Sequence, residues 1–317
     1  MGQGSQKIEK VFAVVVTYNA RKWVEACLGS LNKSNFPLTT IIVDNSSSDG
    51  TVAWINENYP NVTLVPNSEN LGFGKANNLG ISIALSQGAD YVLLLNQDAW
   101  MEEDTVEKLV RAFRGATDYG IISPLHLNGT GTSLDAGFAN CIRKDFHSGV
   151  SHLATNDLSV KPVDFINAAA WMISRNCLKQ VGGFHPHFYH YGEDREYTNR
   201  LAYHEFQIGF VTNCRIFHDR ESRNPQLFFS TLERVSWYYR IGLEIRLMDA
   251  RRSFFRNGLL GFLWSAKDFL SHFFKGRWFA LPAAFDCWSK IFVELNTLRE
   301  GRKLVKDNRP FLFLDDH

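Results

Sequence analysis

The sequence predicts an α/β fold: a mostly parallel sheet flanked by helices, followed by a helical C-terminal extension. Three observations carry the prediction. Short β-branched runs alternate with amphipathic stretches between residues 11 and 123, each run ends in a polar cluster, and the last third of the chain turns aromatic and cationic with helical spacing.

Val11–Thr17, Thr40–Asp44, Val62–Pro66 and Tyr91–Asn96 are apolar enough for strands buried on both faces. The stretches 22–32, 50–58, 74–87 and 102–114 have the spacing of covering helices. Open sheets of this kind bind ligands at the carboxyl ends of their strands. Those ends are Thr17-Tyr18-Asn19, Asp44-Asn45-Ser46, Pro66-Asn67 and Asn96-Gln97-Asp98, so four strands are expected to share one site. Residues 126–164 loosen into Gly, Ser, Thr and Asn, which predicts irregular hairpins. Val163–Ser174 then reads as a strand leading to a short helix and the Gly182-Gly183 break. Glu193–Tyr203 reads as a helix and Ile208–Thr212 as a strand. Residues 226–306 read as helical, interrupted near Lys275-Gly276 and at Pro282. The expected division is an α/β domain over 1–224 and an extension over 225–317.

With 45% apolar residues and 9 prolines in 317, the chain can bury a full core. A net charge of +1 provides no global field for nucleic acid, and no nucleic-acid partner is expected. The balance is uneven, however: from Pro225 onward there are 15 Lys/Arg against 10 Asp/Glu, and 19 of the 43 aromatic residues. The five cysteines are scattered and lack a C-x-x-C pair, which argues against a disulfide framework or zinc knuckle and for a reducing, cytoplasmic setting. Residues 1–10 lack a signal-peptide core, and Leu259–Phe274 is broken by Lys267, Asp268 and His272, so no spanning helix is expected. The Asn-x-Ser/Thr triplets at Asn32, Asn45, Asn61 and Asn128 are then read as chance.

The run Val14-Val15-Val16-Thr17-Tyr18-Asn19, followed by Ile42-Val43-Asp44-Asn45-Ser46-Ser47-Ser48-Asp49-Gly50-Thr51, resembles the family 2 glycosyltransferases of the GT-A fold, a Rossmann-like mostly parallel sheet flanked by helices. The resemblance covers roughly residues 11–220. It continues through Asn70-Leu71-Gly72-Phe73-Gly74-Lys75-Ala76-Asn77-Asn78, Leu94-Leu95-Asn96-Gln97-Asp98, Gly182-Gly183-Phe184 and Tyr191-Gly192-Glu193-Asp194. The Asn-x-Asp form of the metal motif, the Asn-x-Gly-x-Gly segment and the Gly-Glu-Asp block are most similar to rhamnosyltransferase-type members that build bacterial surface polysaccharides.

The resemblance implies an inverting transfer of a sugar from a nucleotide diphosphate donor to a hydroxyl of a glycan or lipid-linked acceptor. The hairpins of 126–164 would carry acceptor contacts. The donor is expected to be dTDP-rhamnose first and a UDP-hexose next. Asp98, just past its strand, can hold a divalent cation, Mg²⁺ or Mn²⁺, against a diphosphate. Asn96 replaces the family's usual first Asp and keeps a carbonyl oxygen for the ribose or a metal-bound water. The resemblance puts a metal-completing histidine at His218 and gives Asp194 the role of general base, supported by Glu193. Asp44 can accept a hydrogen bond from a pyrimidine imide N–H, which does not separate uracil from thymine. Thr17, Asn19, Asn45, Asn70, Gly72, Gly74, Lys75, Asn77, Asn96 and Gln97 complete the expected donor-binding set.

Each motif also has a structural reading. Asn96-Gln97-Asp98 fits a loop and helix cap, Asp44-Asn45 an Asx-turn, Glu193-Asp194 a favourable pair at a helix N-terminus, and His218 a core histidine. The aromatic, cationic C-terminal third fits a helix lying on an anionic membrane, making the protein peripheral at the inner face, or else core packing or a homodimer interface. The rival activity, a sugar nucleotidyltransferase, expects a Gly-rich, Arg-containing loop after the first strand, where Thr17-Tyr18-Asn19-Ala20 stands. A non-catalytic sugar-nucleotide or membrane-binding module would tolerate loss of Asp98 and Asp194, and both are present.

Overall fold

The computed structural model describes residues 8–143, 158–220, 231–276, 278, 280–307 and 311–312. Its N-terminal half follows the sequence pattern closely. β1 (Val11–Thr17), β2 (Leu38–Asp44), β3 (Thr63–Pro66) and β4 (Tyr91–Leu95) are all parallel, ordered β3-β2-β1-β4. α1 (Val24–Asn32), α2 (Thr51–Asn58), α3 (Phe73–Ser86) and α4 (Thr105–Gly115) follow these strands or the short β5 (Ala99–Met101). The two-residue period of β1 sorts its side chains: Phe12 and Val14 enter one core with α3, while Val11, Ala13 and Val15 enter the other with α1 and α4. On α4, Val106, Leu109, Val110 and Phe113 recur at i, i+3, i+4 and i+7 and are all buried.

The second half departs from the expected simple pattern. β6 (Tyr119–Asn128) is a strand the sequence reading does not contain, and α5 (Ala136–Ile142) is a helix inside the stretch expected to be irregular. Residues 144–157 of that stretch lie outside the described residues. β7 (Lys161–Val163) pairs with β9 (Gln207–His218), which extends well past the expected Ile208–Thr212. β8 (Ala170–Ser174) is shorter than the expected Val163–Ser174 and runs antiparallel to both β4 and β6; α6 (Arg175–Val181) follows it. Among the described residues the sheet has nine strands in the order β3-β2-β1-β4-β8-β6-β9-β5, with β7 on β9. α7 spans Glu193–Tyr203, as expected.

The C-terminal helices are α8 (Leu232–Met248), α9 (Phe254–Phe274) and α10 (Ala280–Leu304). The break near Lys275-Gly276 is found. The one expected at Pro282 is not: Pro282 is the third residue of α10, where its missing N–H has no intrahelical partner to lose. The second break lies at 249–253 instead, and α9 restarts where the Ser253 hydroxyl accepts from Arg256 N–H. The expected domain boundary at 224 lies outside the described residues. The three helices build their own core around Tyr239, Leu243, Phe269 and Cys287, and that core also takes in Phe188 from the segment before α7. In the same place His187 Nε2 lies 3.3 Å from Glu244 Oε2, and Arg240 pairs with both Glu244 and Glu294. The chain entering α7 is therefore fastened to α8 and α10. Among the described residues, no helix is long and apolar enough to cross a membrane.

Candidate active site

The carboxyl ends of β1, β2 and β4 come together, and their polar tips bind one another. Asp44 is 1% exposed. Its Oδ2 accepts from the hydroxyls of Thr17 (2.7 Å) and Ser47 (2.6 Å), and its Oδ1 from Ser47 N–H (2.8 Å). Asn19, in the left-handed region at φ 49°, accepts from Ser48 N–H through Oδ1 at 2.9 Å. Thr17 and Asn19 thus fix the orientation of Asp44 and its loop. Asn45 is an internal brace: its amide donates to Gly72 O and accepts from Leu71 N–H and Asn67.

Several other donor-site candidates are tied down in the same way. Gln97 accepts from Tyr18 N–H at 2.7 Å and donates to Tyr18 O, locking the β4 tip to the β1 tip. Asn77 is buried and donates to Phe73 O. Asn70 accepts from Gly72 N–H. Gly72 has φ 79°, and a Cβ there would lie 2.9 Å from a ring carbon of Tyr189, so only glycine fits. Gly74 packs on Phe184, and Lys75 is exposed in the first turn of α3. The Asn96 side chain makes no hydrogen bond among the described residues.

Asp98 and His218, 120 positions apart, meet because β5 and β9 pair antiparallel with Ala99 opposite His218. His218 Nε2 is 3.3 Å from Asp98 Oδ1. The other ring nitrogen, Nδ1, is 3.6 Å from Oδ2 of Asp135, a residue the sequence reading does not single out. Asp135 is itself fixed as the N-cap of α5, with Oδ1 accepting from Phe138 N–H at 2.8 Å. A local signal was present, since Asp135 precedes an apolar helix by one residue. The His218 ring is 1% exposed and neither nitrogen makes a hydrogen bond among the described residues. A buried imidazole with both nitrogens unsatisfied between two carboxylates is a costly arrangement for the protein alone. It fits a divalent cation held by His218 Nε2 and Asp98, with Asp135 orienting the ring from the far side.

Gly192 (φ 99°) ends the loop and α7 begins with Glu193 and Asp194; Ala168 N–H reaches Asp194, and the next carbonyl, Ala169 O, accepts from Asn96 N–H at the end of β4. Asp194 Oδ1 accepts from Arg195 N–H at 2.7 Å. Burial raises the Asp194 pKa, opposed by the N–H groups of Arg195 and Ala168 and by the Arg195 charge. Glu193 is buried with Oε2 unpartnered, and burial followed by the neighbouring Asp194 charge pushes it up to about 8. Burial thus raises both carboxyls: Glu193 favours its protonated form, and at Asp194 the N–H donors and the Arg195 charge hold the rise back.

The family model described as glycosyl transferase family 2 matches residues 12–181, more than half of the chain. The chain belongs to glycosyl transferase family 2. Among its family 2 relatives, an N-acetylglucosaminyl-diphospho-decaprenol L-rhamnosyltransferase of Mycobacterium tuberculosis is 26% identical over 230 residues, covering 65% of this chain and 75% of the relative. The O-antigen chain rhamnosyltransferase WbaN of Salmonella anatum is 26% identical over 226 residues, 68% of each. The fold is that of GT-A glycosyltransferases. TarS 1-349 of S. aureus superposes with a TM-score of 0.55 at 15% identity, covering 94% of this chain and 90% of TarS 1-349. The mannosyltransferase PcManGT of Pyrobaculum calidifontis, in complex with GDP-Man and Mn2+, superposes with a TM-score of 0.54 at 18% identity, covering 93% and 80%. This family 2 chain is a rhamnosyltransferase-like glycosyltransferase that uses sugar nucleotides in polysaccharide synthesis.

Proposed function

We propose that this glycosyltransferase transfers a sugar with inversion from a nucleoside diphosphate donor, dTDP-rhamnose before UDP-hexose, to a hydroxyl of a glycan or lipid-linked acceptor in bacterial surface polysaccharide assembly. The observation that carries the reading is the placement of one orphaned histidine between two carboxylates at the β5–β9 pairing, together with the buried Glu193-Asp194 pair at the start of α7. Asp44, held by Thr17 and Ser47, reads the imide N–H of the base. Asp98 and His218 hold a divalent cation, which when bound supplies positive charge to the leaving diphosphate. Asp194 takes the proton from the acceptor hydroxyl as it attacks the anomeric carbon from the face opposite the departing group. Glu193, protonated, adds no second negative charge beside it. No covalent intermediate is required, because the donor already carries a good leaving group, and the protein contributes position and electrostatics.

The relatives from M. tuberculosis and S. anatum, both rhamnosyltransferases, support the donor preference, and the one named for N-acetylglucosaminyl-diphospho-decaprenol supports a lipid-linked acceptor. The C-terminal helices support a site of action at the inner face of the membrane. α9 exposes Phe255, Leu259, Leu263 and Phe274, and α10 exposes Phe285 and Phe292, among Arg256, Lys267, Lys275 and Lys290.

The test is a donor screen with purified protein and Mg²⁺ or Mn²⁺, following release of the nucleoside diphosphate, repeated with EDTA and with Asp98→Ala. Turnover of one donor that is lost in both controls supports the reading and names the sugar. Turnover unaffected by either removes the roles given to Asp98 and His218.

A further inference from the structure

Two arginines beside the candidate site make no hydrogen bond or ion pair among the described residues. Arg195 directly follows Asp194, and its guanidinium carbon sits 3.6 Å above the ring of Phe165, which is itself buried. The guanidinium makes no hydrogen bond and no ion pair among the described residues. Arg220 lies two residues beyond His218, and its Nη1 occupies the space over the first turn of α5 that a side chain on Gly137 would fill. It too has no hydrogen bond or ion pair among the described residues. Burial raises the Cys141 pKa, opposed by its bond to Asn167 and by the charges of Arg195 and Arg220 and reinforced by that of Asp194, so all three charges act on one residue of α5. Cys141 is anchored there by its contact with Asn167 Oδ1 at 3.1 Å, and the adjoining Ala168 N–H reaches Asp194.

An unpaired arginine reaching into solvent is unremarkable, but Arg195 is stacked. Its plane is held by an aromatic ring, most of its rotamer freedom is gone, and the edge bearing the N–H donors is left open. Such an edge matches two oxygens of a phosphate bidentately. The residues suited to the donor's diphosphate, Asp98 and His218, are at the β5–β9 end of the site. Arg195 stands beside Asp194, the group that meets the acceptor.

We propose that Arg195 and Arg220 form a subsite for a phosphate or diphosphate group carried by the acceptor, next to the sugar whose hydroxyl receives the new bond. The proposal rests on Asp194 as the base of a glycosyl transfer, and it adds a charge requirement on the acceptor. The donor's own diphosphate is the other source of the same chemistry, and the experiment separates the two.

Wild type, Arg195→Gln, Arg220→Gln and the double variant are first titrated with UDP and dTDP in Mg²⁺. The nucleotide-saturated proteins are then titrated with glucose 1-phosphate and with methyl α-glucoside. The expected result is that the wild type binds the phosphate at least tenfold more tightly than the neutral glycoside, that Arg195→Gln and the double variant lose the preference, and that nucleotide affinity stays within twofold. Arg195→Lys, which keeps charge but not the planar fork, should retain part of the preference. Nucleotide binding in the wild type tests the underlying reading by itself. A wild type that binds nucleotide but shows no preference overturns the subsite, as does a double variant that keeps the preference. A tenfold loss of nucleotide affinity with sugar-phosphate binding unchanged assigns the arginines to the donor and also overturns it.

Discussion

Replacing Asp135 by Asn removes the negative charge behind His218 with little other change. Asn caps helices about as well as Asp, so the bond from Phe138 N–H to the side chain at 135 should survive. What is lost is the carboxylate 3.6 Å from His218 Nδ1, which fixes the ring orientation and makes Nε2 a better ligand. Groups in this outer position typically carry a 10- to 100-fold effect on metal affinity, about 1.4–2.8 kcal/mol. The ring is almost inaccessible to water, so solvent offers little replacement for the missing partner. Mn²⁺ titration followed by electron paramagnetic resonance should therefore show a 10- to 100-fold weaker dissociation constant in Asp135→Asn, with a melting temperature close to wild type in metal-free buffer. Asp135→Ala should show the same metal defect and, through the lost cap, about 1 kcal/mol less stability. An Asp135→Asn protein that binds Mn²⁺ within twofold of wild type would refute the argument that this carboxylate orients a metal ligand.

Asp194→Asn should lower kcat by roughly 10²- to 10⁴-fold, the usual weight of a general base, with donor affinity within twofold by calorimetry; unchanged turnover would remove its assigned role. Glu193 makes a pH prediction whose sign follows from its raised pKa: the folded form holds the proton more tightly than the unfolded one, so its stability contribution is full below the ordinary value of 4.5 and falls as pH rises towards about 8. Wild type should lose more melting temperature between pH 5.5 and 8.5 than Glu193→Gln, and equal losses would contradict that environment. Gly72→Ala forces a side chain into a backbone region reserved for glycine and against Tyr189, at a cost of about 1–3 kcal/mol before the clash is counted; a melting curve and the donor KM both read it, and an unaltered protein would argue against the Gly72–Tyr189 approach. Sedimentation with phosphatidylglycerol vesicles should carry the protein down at low salt, and a Phe255→Ser, Phe274→Ser pair should release it; equal sedimentation of both would point away from α9 as the contact.

The nucleotide half of the fold is legible because its information is local. Runs such as Val11–Thr17 and Tyr91–Leu95 announce buried parallel strands, and the four polar tips mark a common edge. β5 is invisible because three residues carry no period, and β6 because Gly120, Ser123, Pro124 and His126 break its apolar run. Yet β5 brings Asp98 to His218, through a register that no local pattern encodes. Asp135 follows a Gly- and Thr-rich loop and is brought to His218 by the long-range pairing of β6 with β9, which sets Asn128 opposite His218, together with the local Leu127–Leu134 bridge. The sequence also cannot tell a ligand-binding amide from a bracing one. Asn45, Asn77 and Gln97 sit where donor contacts are expected, and the structure occupies their amides with Gly72, Phe73 and Tyr18.

The union of Phe188 with the C-terminal core, and of His187 with Glu244, constrains how such an enzyme can be recombined. A chimera that exchanges the chain from 231 onward for that of another glycosyltransferase would cut this shared packing while leaving the α/β part intact. Gly192 faces Ile241, so even the turn that starts α7 is shaped by the partner helix. A graft meant to change the acceptor must therefore carry residues 184–192 along with the helices, as one inheritable unit.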